Sequence, residues 1–270
     1  MNLILISTLS IGGLAAAFAL LLSIAHKRLK VEEDPRVEKI LEILPGANCG
    51  ACGYASCRAL AEEMVKGDSS VNSCVAGGND TSQKIAEILG VESEVTQSKI
   101  AFIHCGASQL ERKKKAEYEG IKSCQAADII AGGELFCAYG CLGYGDCQIA
   151  CLFDAISMRD GLPHIKLAKC TGCGNCVKAC PRNLISLEVL NEEPQYRVVC
   201  SSLDKGKKAR TACKKACIAC GICAKVCPFD ACQIVDNLAV IDERNCQECG
   251  VCAERCPTGA IQNSYIVCSI

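Results

Sequence analysis

The chain opens on an unbroken apolar stretch, Leu3 to Ala25, reading LILISTLSIGGLAAAFALLLSIA without one charged residue. At about 1.5 Å of rise per residue, a helix over it reaches roughly 34 Å, enough to cross a bilayer core. His26, Lys27, Arg28 and Lys30 follow at once. Basic residues at that end predict that it faces the cytoplasm, with the N-terminus outside. The rival reading is a cleaved signal peptide, but the stretch lacks a basic lead-in and is long for one. The pattern then changes. Asp34-Pro35 offers a helix cap and a first-turn residue. Ile40, Leu41 and Leu44 give that helix an apolar face, and Pro45-Gly46 ends it. A second helical stretch leads to Cys74. Residues 77 to about 98 are polar, with one short amphipathic helix, and read as a linker. Leu162 to Leu167 and Leu238 to Ile241 are short strand candidates, expected to face each other across a pseudo-twofold.

Composition changes the picture through one residue type. The 270 residues include 26 Cys, and Trp is absent. A chain this long does not need disulfides to hold a core. The Cys also fall in short C-x2-C runs, which suit a shared metal better than separate bridges, so bound metal is expected to supply folding energy. Cytoplasmic placement agrees with thiols kept reduced. The formal net charge of −1 treats every Cys as neutral. Three His occur, and no Ser–His–Asp set, Walker loop or dinucleotide fingerprint accompanies them, so no bond-making active site is expected. A nucleic-acid site is not expected either, because no matching motif is present.

The first Cys group is Cys49-x2-Cys52-x4-Cys57-x16-Cys74. Three thiolates come from one tight loop and one from a distance, and Gly50 and Gly53 let backbone N–H groups approach a cluster. A structural zinc site also takes four Cys, though more often from two C-x2-C knuckles. Residues 32 to 76 resemble the four-Cys iron–sulfur domain of the B subunit of Rnf-type electron-transport complexes, and a similar domain occurs in corrinoid iron–sulfur proteins.

Farther along, the chain repeats itself at an offset of 76 residues. Cys137, Cys141, Cys147, Cys151, Cys170, Cys173, Cys176 and Cys180 return as Cys213, Cys217, Cys223, Cys227, Cys246, Cys249, Cys252 and Cys256. The runs beginning at Cys170, Cys217 and Cys246 read C-x2-C-x2-C-x3-C-P, and each repeat resembles a bacterial two-cluster ferredoxin. In such ferredoxins the fourth Cys of a run crosses to the other cluster. The resemblance therefore groups Cys151, Cys170, Cys173 and Cys176; Cys217, Cys220, Cys223 and Cys256; and Cys227, Cys246, Cys249 and Cys252. The run at Cys137 departs from the pattern, with wider spacing and Leu152 where the others have Pro. Its expected set is Cys137, Cys141, Cys147 and Cys180. Ala155-Ile156 and Ala260-Ile261 are expected to pack over the clusters.

These groups make five [4Fe–4S] clusters, adding roughly −10 of charge. Six Cys are left over: Cys105, Cys124, Cys200, Cys213, Cys232 and Cys268. Cys124 and Cys200 are also 76 apart and read as part of the duplicated unit. Buried reduced thiols are the default for the six. Alternative or additional ligation by Cys124, Cys200 and Cys213 is the other reading, because Cys213 aligns with Cys137 while Cys220 aligns with Tyr144. The basic stretches Arg112 to Lys115 and Lys205 to Lys215 read either as a solvated face or as a docking patch for an acidic ferredoxin.

The order of parts resembles that of Rnf B subunits, in a long form with duplicated ferredoxin domains. It predicts an α+β protein with an anchor at 1–26, a helical four-Cys domain at 32–76, a connecting segment at 77–123, and ferredoxin-like domains at 124–190 and 200–264. The resemblance implies an electron-transfer subunit of an ion-translocating oxidoreductase in the inner membrane of a prokaryote, with most of the chain in the cytoplasm. Reduced ferredoxin would be the donor. Integral-membrane and flavin-bearing subunits would carry electrons on to NAD while Na+ or H+ moves outward. A membrane-anchored polyferredoxin of a non-pumping reductase and a zinc-bound interaction module are the alternatives.

Overall fold

The computed structural model describes residues 2–29, 34–189 and 195–263. Helix α1 (Asn2–Leu29) is apolar and solvent-facing along its described length, and its Leu5–Arg28 portion is long and apolar enough to cross a membrane. Two of its polar side chains are satisfied within the helix: the Thr8 hydroxyl donates to the Leu5 carbonyl and that of Ser10 to the Ser7 carbonyl. That is the arrangement a lipid environment requires.

The four-Cys unit is a small helical bundle. Helix α2 (Pro35–Ile43) starts as the sequence predicts, with Pro35 at its first position and the Asp34 carboxylate accepting from the Arg36 amide at 2.9 Å. Helix α3 (Cys57–Lys66) is capped by Ser56, whose hydroxyl accepts from the Ala59 amide, and ends on Gly67 at φ 88°. A 3-10 turn (Val71–Ser73) and helix α4 (Gly78–Leu89) follow. Val37, Ile40, Leu60, Met64 and Ile85 interlock as the core. Residues 78–89, read as linker, are thus part of this unit: α4 is amphipathic, it packs on α2 and the 3-10 turn, and Ile85 and Ala86 are buried in the shared core.

The rest of the connecting segment is also built in. Strand β1 (Lys99–Ile103) pairs antiparallel with β4 (Ile185–Val189), with Ala101 opposite Leu187. Between them lie α5 (Cys124–Ile129), α6 (Asp146–Ile149), the hairpin β2 (Ile156–Arg159) and β3 (Leu162–Ile165), a 3-10 turn (Leu167–Lys169), and α7 (Asn175–Ala179). The second repeat answers in kind. Strand β5 (Tyr196–Val198) pairs with β8 (Ile261–Asn263), around α8 (Gly206–Ala212), α9 (Ile222–Val226), the hairpin β6 (Cys232–Val235) and β7 (Leu238–Ile241), and α10 (Val251–Glu254). β3 and β7 do not pair with each other. Each closes on its own neighbour, because Asp160-Gly161 and Asp236-Asn237 adopt the positive φ of a tight two-residue hairpin turn.

One ion network spans the two repeats. The Arg197 guanidinium on β5 is buried and meets Glu188 of β4 at 3.0 Å, Glu243 at 3.2 Å and Glu248 at 3.4 Å.

Candidate metal centres

Each crossing Cys uses the same five-residue turn. The residue three positions on is left-handed: Asp154 (φ 50°), Asn183 (φ 51°), Asp230 (φ 50°) and Gly259 (φ 65°). The amide four positions on then donates back to the thiol sulfur, Ala155 to Cys151, Leu184 to Cys180, Ala231 to Cys227 and Ala260 to Cys256, at 3.3–3.4 Å. Asp, Asn and Gly tolerate that backbone at least cost. The first turn keeps this geometry although Leu152 replaces the usual Pro. Ala155, Ile156, Ala260 and Ile261 are buried beside these sulfurs.

The sulfurs gather into quartets. Cys49, Cys52, Cys57 and Cys74 line one cavity of ≈ 340 Å³. Cys151, Cys170, Cys173 and Cys176 line another of ≈ 320 Å³, and Cys217, Cys220, Cys223 and Cys256 a third of ≈ 330 Å³. Cys246 lies near Cys227, Cys252 lies near Cys246 and Cys249, and Cys232 stands beside Cys227 and Cys252. The four-Cys unit touches the first repeat at the start of α7, where the Asn175 side chain donates to the Cys49 carbonyl at 3.3 Å.

The run at Cys137 is arranged differently from the sequence expectation. Cys141, Cys147 and Cys180 share a cavity of ≈ 380 Å³ with Cys124, not with Cys137. The reason lies at Tyr144, which stands where the second repeat has Cys220. Its ring packs edge-on to Tyr118 at 5.8 Å, inside a small core with Ala127, Leu135 and Leu142. The same added segment brings Cys124 to the sulfur position that Tyr144 leaves unfilled. Asp146 fixes it there, its carboxylate accepting from the Cys124 amide at 2.9 Å, the Gln125 amide at 3.0 Å and the Ser123 hydroxyl at 2.9 Å. Burial works against that carboxylate's charge, yet these donors outweigh it and hold its pKa below the ordinary value.

Cys137 lies elsewhere, lining a cavity of ≈ 340 Å³ with Cys105, Cys200 and Cys213, three thiols left unassigned from sequence. Cys200 is therefore not the counterpart of Cys124, despite the matching offset. The His104 amide donates to Leu184 and the Val199 amide to Ala260, the same rung in each repeat, so the following residues, Cys105 and Cys200, are the true pair. Cys105 precedes Cys137 by 32 residues and Cys200 precedes Cys213 by 13, and the excess is the added segment that carries Cys124.

Burial sets the acid–base character of these thiols. It pushes Cys141 and Cys147 up to about 12 and Cys176, Cys200 and Cys213 up to about 11, so thiolate forms there only against a compensating cation. At Cys227 and Cys256 burial also opposes ionisation, but N–H donors from the crossing turns prevail and lower both. Among the described residues every Cys is a free thiol, and no three His, Cys, Asp or Glu side chains converge closely enough to share one ion. Zinc draws its sulfurs to about 2.3 Å from a single point. A cube takes one thiolate at each iron and keeps the sulfurs apart. Four thiols around one cavity suit a cube.

Comparison with known proteins agrees. Residues 44–76 match the family described as a putative Fe-S cluster, and residues 169–231 and 216–260 match the 4Fe-4S dicluster domain. The chain is 44% identical over 243 residues to the B subunit of the Na+-translocating ferredoxin:NAD+ oxidoreductase complex of Acetobacterium woodii, covering 90% of this chain and 72% of the relative. It belongs to the family of B subunits of ion-translocating oxidoreductase complexes. Another member of this B-subunit family comes from the ion-translocating oxidoreductase complex of Methanosarcina acetivorans, 37% identical over 245 residues, with 90% of this chain and 92% of the relative covered. The B subunit of the proton-translocating ferredoxin:NAD+ oxidoreductase complex of Clostridium ljungdahlii is 38% identical over 229 residues, covering 84% and 80%. The first dicluster match joins the runs beginning at Cys170 and Cys217, which the structure assigns to different repeats.

Proposed function

We propose that this chain is the iron–sulfur relay of a membrane-bound ferredoxin:NAD oxidoreductase complex, receiving electrons from reduced ferredoxin on the cytoplasmic side while the complex moves Na+ or H+. Integral-membrane and flavin-bearing subunits would take the electrons onward. The observation that carries this reading is the row of Cys quartets around cavities of 320–380 Å³. Five sets are ligands in this reading: Cys49, Cys52, Cys57 and Cys74; Cys151, Cys170, Cys173 and Cys176; Cys124, Cys141, Cys147 and Cys180; Cys217, Cys220, Cys223 and Cys256; and Cys227, Cys246, Cys249 and Cys252. Bound [4Fe–4S] cubes supply reversible one-electron chemistry. The chain's part is to hold the thiolates, aim N–H groups at the sulfurs and exclude water. His26, Lys27 and Arg28 end α1 and favour a cytoplasmic body.

Ferredoxin docking has its own support. The two basic stretches meet in space: the Lys113 amide donates to Ala212 and the Lys214 amide to Glu111, each at 3.0 Å. Lys113, Lys114, Lys115, Lys205, Lys207, Lys208, Arg210 and Lys214 are exposed around that seam. An acidic one-electron carrier would be steered there.

The test is anaerobic mixing of the purified holoprotein with reduced ferredoxin. Its visible iron–sulfur absorbance should bleach, at a rate that falls steeply with added salt. No bleaching by any reduced ferredoxin would end the proposal, and a rate indifferent to salt would remove the basic seam from it.

A further inference from the structure

Cys105, Cys137, Cys200 and Cys213 belong to no common motif run, yet they face one cavity of ≈ 340 Å³, the size of those lined by the motif quartets. We propose that this quartet binds a sixth [4Fe–4S] cluster, with two ligands from each repeat, so that it joins the two ferredoxin-like halves. The inference rests on the relay reading above.

The symmetry of the site carries the argument. Cys105 and Cys200 each follow the last rung of an outer strand pair, after His104 bonded to Leu184 and Val199 bonded to Ala260. Cys137 and Cys213 are partners at the repeat offset. Matching donors reach the first pair: the Cys141 amide donates to Cys105 Sγ at 3.4 Å and the Cys217 amide to Cys200 Sγ at 3.3 Å, with the Ser202 amide adding a bond to Cys200 Sγ at 3.4 Å. Backbone N–H groups aimed at sulfur are what a ligand thiolate needs. Four unrelated thiols would have no reason to obey the symmetry of the scaffold or to leave between them a space like that of the motif quartets.

Charge at the site agrees. The cavity is lined by Arg112 and Lys215, and Arg112 is buried, its guanidinium donating to the Cys141 and Gly161 carbonyls. A cube with four thiolates carries about −2, which these cations offset. The seam that pairs Arg112 with Cys213 holds the segment in place.

Position gives the site its role. Cys141 and Cys217, whose amides bond to the junction sulfurs, each line a motif cavity, one in each repeat. One electron leaving a reduced cube in either repeat would reduce the junction cube by one and oxidise its donor by one, with no bond made or broken. Without this site each repeat would be a separate two-cluster unit.

Cubes are counted by native mass spectrometry, with iron and acid-labile sulfide assays, on the full chain prepared anaerobically. Six cubes and about 24 irons are expected, against five cubes and about 20 without the junction site. Cys137→Ala and Cys200→Ser should each lose one sixth of the iron, while Cys232→Ala should lose none. Five cubes in the unaltered protein would overturn the proposal, and so would full iron in both junction variants. The unaltered count decides the matter even where a variant does not fold. Iron-free folded protein would instead overturn the relay reading beneath it.

Discussion

The two ferredoxin-like repeats share strands, crossing turns and a ligand offset, but they obtain one sulfur in different ways. The second repeat takes Cys217, Cys220 and Cys223 from a single loop, and Cys220 is exposed. The first has Tyr144 at the matching place and imports Cys124, which is half-buried, from an added segment, while Cys141 and Cys147 are buried as Cys217 and Cys223 are. A second difference concerns donors. The Ala239 amide on β7 donates to Cys217 Sγ at 3.4 Å, whereas its counterpart on β3 is Pro163, which has no N–H to give. The comparison teaches that a cube's four corners are fixed by geometry, while the segments that supply them and the donors around them can be changed one at a time. The two cubes should differ in potential accordingly, the drier and less hydrogen-bonded one in the first repeat being harder to reduce.

The largest expected effect comes from removing the imported ligand. Cys124→Ala should cost one cube, about four irons per chain, and Tyr144→Cys added to it should restore much of that iron by recreating the C-x2-C-x2-C loop of the second repeat. Iron assays on the single and double variants check this, and no recovery in the double variant would mean that Tyr144 does not occupy the missing corner. Next is the tie between the repeats. Arg197→Met leaves Glu188, Glu243 and Glu248 facing one another and should destabilise the pair by about 3 kcal/mol, read from the denaturant midpoint of the holoprotein.

A smaller effect should follow from Asp146→Asn, which weakens the clamp on Cys124. Loss of a charge-assisted set of bonds should cost about 1–2 kcal/mol. The folded carboxyl has a lowered pKa, so its contribution is present above the unfolded value near 4 and is lost as pH falls through the lower folded value. The gap between Asp146→Asn and the unaltered protein should therefore stay constant near neutrality and close only in acid, as chemical denaturation at a series of pH values would show. The smallest change is Ala239→Pro, which copies β3 into β7. It should leave iron content unchanged and lower the potential of the cube beside Cys217, measured by redox titration, so that the two repeats become more alike.

How much of this was legible in the sequence follows from where ligands sit along the chain. Where three Cys share one loop, as at Cys49, Cys170, Cys217 and Cys246, spacing alone groups them, since a short loop has few ways to present three thiols. An unbroken apolar stretch likewise marked α1, and an apolar face marked α2. The junction quartet draws on four separate segments, and no local pattern can announce a site that only tertiary contact assembles. Cys124 was hidden by a coincidence: its 76-residue distance from Cys200 mimics the duplication, while the hydrogen-bond rungs show that Cys105 is the real counterpart. Helix α4 was misplaced because a polar stretch with one apolar face reads as linker until its partners are known. Cys268 lies outside the described residues.

The crossing turns also bear on speed. Their left-handed residue and back-donated amide come from the backbone itself, so the sulfur is already in place before an electron arrives and stays there after it leaves. Little nuclear rearrangement then accompanies each change of oxidation state, because the dipoles that stabilise the added charge are oriented in advance. Rapid transfer between neighbours is thus written into a five-residue bend used four times.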